Sequence, residues 1–145
     1  MKARRAEISR RDLLKTGAAL SAGAWAAASS RAFAAGSEKM GVALIGCGSR
    51  GTKDAIDCLS SDPAVEMVAV ADMFQDRIDE SLAQMKKASA EKVKVTPETI
   101  FLGFDAHKKV IALKEVDIVL LTTPPGFRPQ MVKAALEAGK HIFME

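Results

Sequence analysis

Apolar residues along this chain follow two alternating rhythms. Short, nearly unbroken runs occur at Val42-Ala43-Leu44-Ile45, Met67-Val68-Ala69-Val70-Ala71, Ile118 to Thr122 and His141 to Met144. Such runs suit strands buried on both faces, as in a parallel sheet. Thr99–Phe104 predicts a shorter third strand. Between the runs, apolar residues recur at helical spacing: Ala55, Ile56 and Leu59; Ile78, Leu82 and Met85; Val110, Ile111 and Leu113; Val132, Ala135 and Leu136. The last group predicts the inner face of the last helix. Asp105 is placed to cap a helix start, Pro129 to sit in a first turn and Gly139 to stop a helix. Lys86 to Thr99 is polar, contains Pro97 and reads as loop or irregular chain. Strands and helices alternate with no hairpin signal. The predicted fold class is therefore α/β, a doubly wound parallel sheet, with the fifth run as a buried strand. In such sheets ligands bind at the carboxyl ends of the strands. Those ends are Gly46–Gly51, Asp72, Thr123–Arg128 and Glu145.

The first of these ends carries chemistry. Gly46-Cys47-Gly48-Ser49-Arg50-Gly51 is G-x-G-x-x-G between a predicted strand and a predicted helix. Gly46 permits a tight turn, Gly48 lets backbone approach a pyrophosphate, and Gly51 lets the helix pack against the sheet. The first turn of that helix offers free N–H groups and a partial positive charge to the phosphates, and Cys47, Ser49 and Arg50 of the turn are counted with the glycines as cofactor-binding. The second run ends in Asp72, twenty-one residues past Gly51. An acid near that spacing holds the adenosine ribose hydroxyls. Its charge repels a 2′-phosphate, so NAD is preferred, with NADP possible because Arg77 stands near. A P-loop is rejected, because Gly51-Thr52-Lys53 places lysine and hydroxyl in the wrong order. A methyltransferase, which shares the glycine turn and the acid, and a ligand-free glycine turn stay open on these residues alone.

Charge divides the chain. Residues 1–34 hold seven Lys or Arg and two acids, while the remainder holds fourteen basic and sixteen acidic residues. The basic excess is therefore N-terminal, and no nucleic-acid footprint is expected in the folded part. Ser9-Arg10-Arg11-Asp12-Leu13-Leu14-Lys15 resembles a twin-arginine (Tat) signal. A mild Ala/Gly-rich run and an Ala32-Phe33-Ala34 cleavage site follow. Residues 1–34 are thus expected to be a Tat signal peptide, removed after Ala34. The Tat translocase is a transient partner and the destination is the periplasm or another exported location. The run is too short and mild for a stable membrane anchor.

Cys47 and Cys58 lie about 16 Å apart if the stretch between them is helical, too far for a disulfide. They are read as free thiols. His107 and His141 lack metal-ligand spacing and are read as surface or packing residues; no metal site is predicted.

"VALIGCGSRG", "VAVADMF" and "TTPPGFRPQMVKAALEAGKHIFME" together resemble the Gfo/Idh/MocA oxidoreductase family. The resemblance covers residues 35–145, the whole expected mature part, and implies a Rossmann NAD(P)-binding domain. It implies that Gly46, Gly48 and Gly51 cradle the pyrophosphate and that Asp72 holds the ribose. Thr123, Pro124 and Pro125 would line the nicotinamide-ribose side, with Arg128 nearby, and Glu145 would touch the nicotinamide end. Many members have Asn where this chain has Pro125 and His where it has Arg128. The resemblance also implies that the fifth strand runs on into Glu-Lys-Pro, whose lysine is catalytic, and then into a substrate domain. No catalytic residue is therefore assigned among these 145, and the fragment alone is expected to be inactive. The implied activity is hydride transfer with a sugar or polyol in a homo-oligomeric enzyme. The alternatives are an NAD-dependent glycosidase of the same family and a non-catalytic NAD-binding module.

Overall fold

The computed structural model describes residues 39–145; the expected signal segment, with Arg10-Arg11 and Ala32-Phe33-Ala34, lies outside the described residues. Strands β1 (Met40–Ile45), β2 (Val65–Asp72), β3 (Ile100–Leu102), β4 (Ile118–Leu121) and β5 (His141–Met144) form one sheet in the order β3-β2-β1-β4-β5. All four pairings are parallel. Helices α1 (Ser49–Ser61), α2 (Gln75–Ser89), α3 (Ala106–Ile111) and α4 (Arg128–Glu137) connect them.

Alternation along the strands sorts side chains to two faces. Val42, Leu44, Met67, Val70 and Leu120 pack with Ala55 and Leu59 of α1 and Ile78, Leu82 and Met85 of α2. Ala43, Ile45, Ala69, Ala71, Val119 and Leu121 meet Val110 and Ile111 of α3 and Met131 and Ala135 of α4. The sheet thus lies between two helical layers. Each fully buried leucine or valine in it is worth roughly 2 kcal/mol of transfer free energy. One irregularity interrupts the alternation. Val42 pairs with Met67 but Ala43 pairs with Ala69, so β2 carries Val68 as an extra residue. That slip lets Met67 and Val70, three apart, face the same helices.

Helix ends are held by lysines from elsewhere in the chain. Lys92 Nζ donates to the carbonyls of Leu59 and Asp62 at the end of α1, the second at 2.9 Å. Lys140 Nζ donates to Leu113 O (2.8 Å) and Val116 O (2.7 Å), just past α3. Gly139 (φ +69°) stops α4 as predicted.

Five expectations need correction. Leu136 is 64% exposed. The inner face of α4 is Met131 and Ala135, one turn apart, and Leu136 is rotated about 100° from Ala135. Asp105 precedes α3 but makes no side-chain cap, because its backbone (φ −89°, ψ 2°) is not extended. Its exposed carboxylate instead meets Lys108 at 2.7 Å, and that contact lowers its pKa. Lys86 to Thr99 is not loop throughout. Helix α2 continues to Ser89, two 3₁₀ turns follow (Ala90–Lys92 and Pro97–Thr99), and Val93 bridges Met67. The third strand is shorter than expected, ending before Gly103 at φ +101°. Strand β5 is not buried: it is an edge strand of the described sheet, and its His141, Phe143 and Met144 are exposed.

Candidate dinucleotide site

The carboxyl ends of β1, β2 and β4 open on a crevice of about 980 Å³, lined also by Glu145 beyond β5. It lies where strand order reverses on either side of β1, the position at which doubly wound sheets bind ligands. Gly46, Gly48, Arg50, Asp72, Thr123, Pro124, Arg128 and Glu145 all line it. Cys47, Ser49 and Gly51 line an adjoining recess of about 370 Å³ on the α1 side, which shares Gly48 and Arg50 with the crevice. Pro125 begins a 3₁₀ turn, Pro125–Phe127, and lines neither space.

The glycines fit a bound dinucleotide for three different reasons. Gly46 has φ +103°, and a Cβ there would stand 2.9 Å from Thr122 C. A Cβ on Gly51 would enter the Gly46 carbonyl oxygen and Thr122 Oγ1. Both positions are closed by the fold itself. Gly48 differs: the nearest atom to a Cβ there is Arg77 Nη1 at 3.9 Å. The fold leaves that space open, and a ligand's phosphate can come up to the backbone. Helix α1 begins at this turn with no side-chain cap. Its first N–H groups are the donors that a phosphate would accept from.

Asp72 is held from two sides. Its Oδ2 accepts the Cys47 N–H at 2.6 Å and its Oδ1 the Phe74 N–H at 3.0 Å. A carboxylate has about four acceptor sites, so each oxygen keeps one for a ribose hydroxyl. The same contact fixes the glycine turn against β2. Thr122 ties it from the other side, donating from Oγ1 to Gly46 O at 2.7 Å. Beneath the turn, Thr52 Oγ1 meets Ser81 Oγ at 2.9 Å and Gly48 O at 3.0 Å, joining α1 to α2.

Cys47 lies inside this frame, buried, with its Sγ 3.6 Å from Ala71 O. Burial first, and the Asp72 charge second, push its pKa from 9.0 up to about 12. Its thiol stays protonated and acts as a packing group, not a nucleophile. Cys58 is half-buried, burial raises its pKa too, and both thiols are free as expected.

On the β4–β5 side, Arg50 Nε is 3.3 Å from Asp54 Oδ1, and Arg50 Nη2 pairs with Glu145 Oε1. Asp54 Oδ2 is buried without a hydrogen-bond partner. Arg128 Nε donates to Thr123 O at 2.6 Å, so this guanidinium braces its own loop. Thr123 Oγ1 lies 3.5 Å from Met131 Sδ. His107 is buried and lines the crevice, with Nδ1 2.9 Å from Phe104 O; it is a packing histidine, while His141 is exposed.

Sequence reading missed Thr122 and Ser81 as braces, and Phe74, Phe104 and Phe127 as lining. One signal was available for two of them. Gly103-Phe104 and Gly126-Phe127 each put an aromatic residue just beyond a glycine at a strand's carboxyl end.

Residues 40–145 match the family described as oxidoreductase family, NAD-binding Rossmann fold (GFO_IDH_MocA). Residues 7–24 match the twin-arginine translocation pathway signal sequence, and so mark the chain for export by that route. A glycosyl hydrolase family 109 protein from Solibacter usitatus is 31% identical over 96% of this chain and 33% of its own length. One from Shewanella amazonensis is 35% identical over 72% of this chain and 22% of its own length. The chain therefore spans a third or less of these curated relatives. Among solved structures, scyllo-inositol dehydrogenase from Lactobacillus casei with NAD(H) and scyllo-inositol superposes with TM-score 0.58 at 20% identity, over 74% of this chain and 28% of that one. A 3-ketoreductase from Actinomadura kijaniata in complex with NADP gives 0.55 at 22% identity, over 74% and 29%. These two likenesses show the fold. With the glycine turn, the acid ending β2 and the parallel sheet in one match, the chain belongs to the Gfo/Idh/MocA oxidoreductase family, and residues 40–145 are its NAD-binding Rossmann domain.

Proposed function

We propose that this chain provides the cofactor domain of an exported enzyme that exchanges hydride between NAD and a sugar or polyol. The observation that carries the cofactor reading is Asp72, oriented by two backbone N–H groups beside a glycine turn that a Cβ would fill. Bound NAD would supply the hydride chemistry. The chain's own residues bind and orient. Gly48 admits the pyrophosphate, the start of α1 donates to it, and Asp72 accepts from the adenosine ribose. Thr123 and Pro124 flank the nicotinamide ribose, and Glu145 stands at the nicotinamide end. Arg50 lies between the phosphate turn and Glu145, its charge shared with Asp54 and Glu145. Arg77 stands close enough to the Asp72 region to accept some NADP.

Cleavage after Ala34 would leave 35–145 as the dinucleotide domain. The family resemblance implies a substrate domain and a catalytic lysine beyond Glu145, and the relatives' greater length supports the further domain. The sugar or polyol substrate class is supported by the inositol dehydrogenase and ketoreductase neighbours.

The glycosyl hydrolase family 109 relatives favour a second reading, glycoside cleavage with NAD retained through the cycle. The two readings separate on one assay of the full-length protein. A dehydrogenase accumulates NADH with a polyol or sugar. A glycosidase releases the aglycone of an aryl glycoside with no net NADH. For the cofactor assignment, Asp72→Ala should weaken NAD binding about 10-fold or more, since hydrogen bonds to a charged group are worth about 1.5–3 kcal/mol each. Unchanged NAD affinity in that variant counts against it.

A further inference from the structure

Large apolar side chains gather on the rim of the crevice. Phe104 is 68% exposed, Phe74 52% and Phe127 41%. They come from segments following three different strands, so the topology assembles them. Phe104 and Phe127 meet with ring centroids 6.1 Å apart and planes tilted by 50°. Phe74 stands beside Asp72, with the Arg77 guanidinium 5.2 Å from its ring centroid.

Each ring sits on a braced turn. The buried His107 ring, through Nδ1, donates to Phe104 O at 2.9 Å, since a carbonyl only accepts. Phe127 N–H donates to Pro124 O at 3.1 Å, and Arg128 ties the same turn to Thr123 O. Aromatic rings on braced turns at the mouth of a crevice are suited to a flat, apolar-faced ligand group. Asp105, which follows Phe104 directly, is paired with Lys108.

Resting on the dinucleotide reading above, Asp72 fixes the adenosine ribose at the end of β2. Strand order puts the nicotinamide half toward β4 and β5, and therefore the base toward β2 and β3. That is where Phe104 stands, with Phe127 reaching it from the loop after β4. We propose that Phe104 and Phe127 form an aromatic bracket for the adenine, one ring lying flat on the base and the other, tilted by 50°, meeting it edge-on. Base-on-aromatic stacking is tolerant in geometry and strong for its size. It would slow cofactor loss from an exported protein.

Calorimetric titration of the full-length protein with ADP-ribose tests this. Loss of the stacked ring should weaken binding about 10-fold, loss of the edge-on ring less, and the double variant Phe104→Ala with Phe127→Ala about 10-fold or more. Because both rings are exposed, the melting temperature without ligand should not move. Tryptophan at both positions should restore affinity, and leucine at both should not. A double alanine variant that binds within about 2-fold of the parent overturns the bracket. So does full rescue by leucine, or a loss of affinity matched by a fall in melting temperature. If the parent itself fails to bind ADP-ribose, the dinucleotide reading falls, and the bracket with it. If the parent binds and the double variant binds equally, only the bracket falls.

Discussion

At the β1–β2 rim of the crevice, recognition is written in backbone. The donors are N–H groups of the glycine turn, and Asp72 is itself gripped by the N–H groups of Cys47 and Phe74. Beneath them lie fully buried Val42, Leu44, Leu59, Met67 and Val70. The β4–β5 rim is written in side chains. Arg50 pairs with Glu145, Arg128 braces Thr123 O, and Phe143 and Met144 of the edge strand are 50% and 58% exposed. A backbone site can take only what fits its fixed shape. A side-chain site can be retuned by single substitutions. On the proposed reading, the phosphates and adenosine ribose sit at the backbone-built rim and the nicotinamide end at the side-chain rim.

The contrast breaks most visibly at the glycines. Gly51→Ala drives a Cβ into the Gly46 carbonyl and Thr122, and should cost about 4 kcal/mol or more in chemical denaturation. Gly48→Ala should leave stability within about 0.5 kcal/mol, because its Cβ meets open space, and lose NAD affinity instead. Equal effects of the two on stability would remove the distinction between fold glycine and ligand glycine.

Next in size is a truncation on each side. Leu59→Ala empties a fully buried site and should cost about 3 kcal/mol. Leu136→Ala, on the exposed face of α4, should change stability by less than about 0.5 kcal/mol.

The smallest effect is a pH dependence. Because the folded Cys47 pKa is raised above its ordinary value of 9.0, its contribution is fully present below pH 9 and is lost as pH rises toward about 12. At pH 10 the loss should be about 1 kcal/mol. Cys47→Ala should flatten the stability profile over that window. An unchanged slope would mean that burial does not raise the Cys47 pKa.

These differences also explain what could be read in the sequence. The glycine turn and Asp72 were legible because their signal is local: glycine permits a backbone shape, and an apolar run fixes where a strand ends. The alternation of elements carried the parallel topology for the same reason. What failed depended on neighbours distant in sequence. An apolar run such as "HIFM" looks alike at the centre or the edge of a sheet, so the exposure of Phe143 was invisible. Leu136 follows Ala135 directly, and an apolar pair near a helix end does not say which member faces inward. Phe104 and Phe127 lie twenty-three residues apart, and only the strand order brings them together.

The bare start of α1 has a thermodynamic consequence. Against a capping side chain, glycine at a helix start forgoes roughly a few tenths of a kcal/mol, and here the N-cap is Gly48, with no side chain to offer. That increment is missing from the ligand-free protein and returns when an anion settles on the first turn. On the proposed reading, the dinucleotide's phosphate stands in for the missing cap, and binding it completes a secondary-structure element.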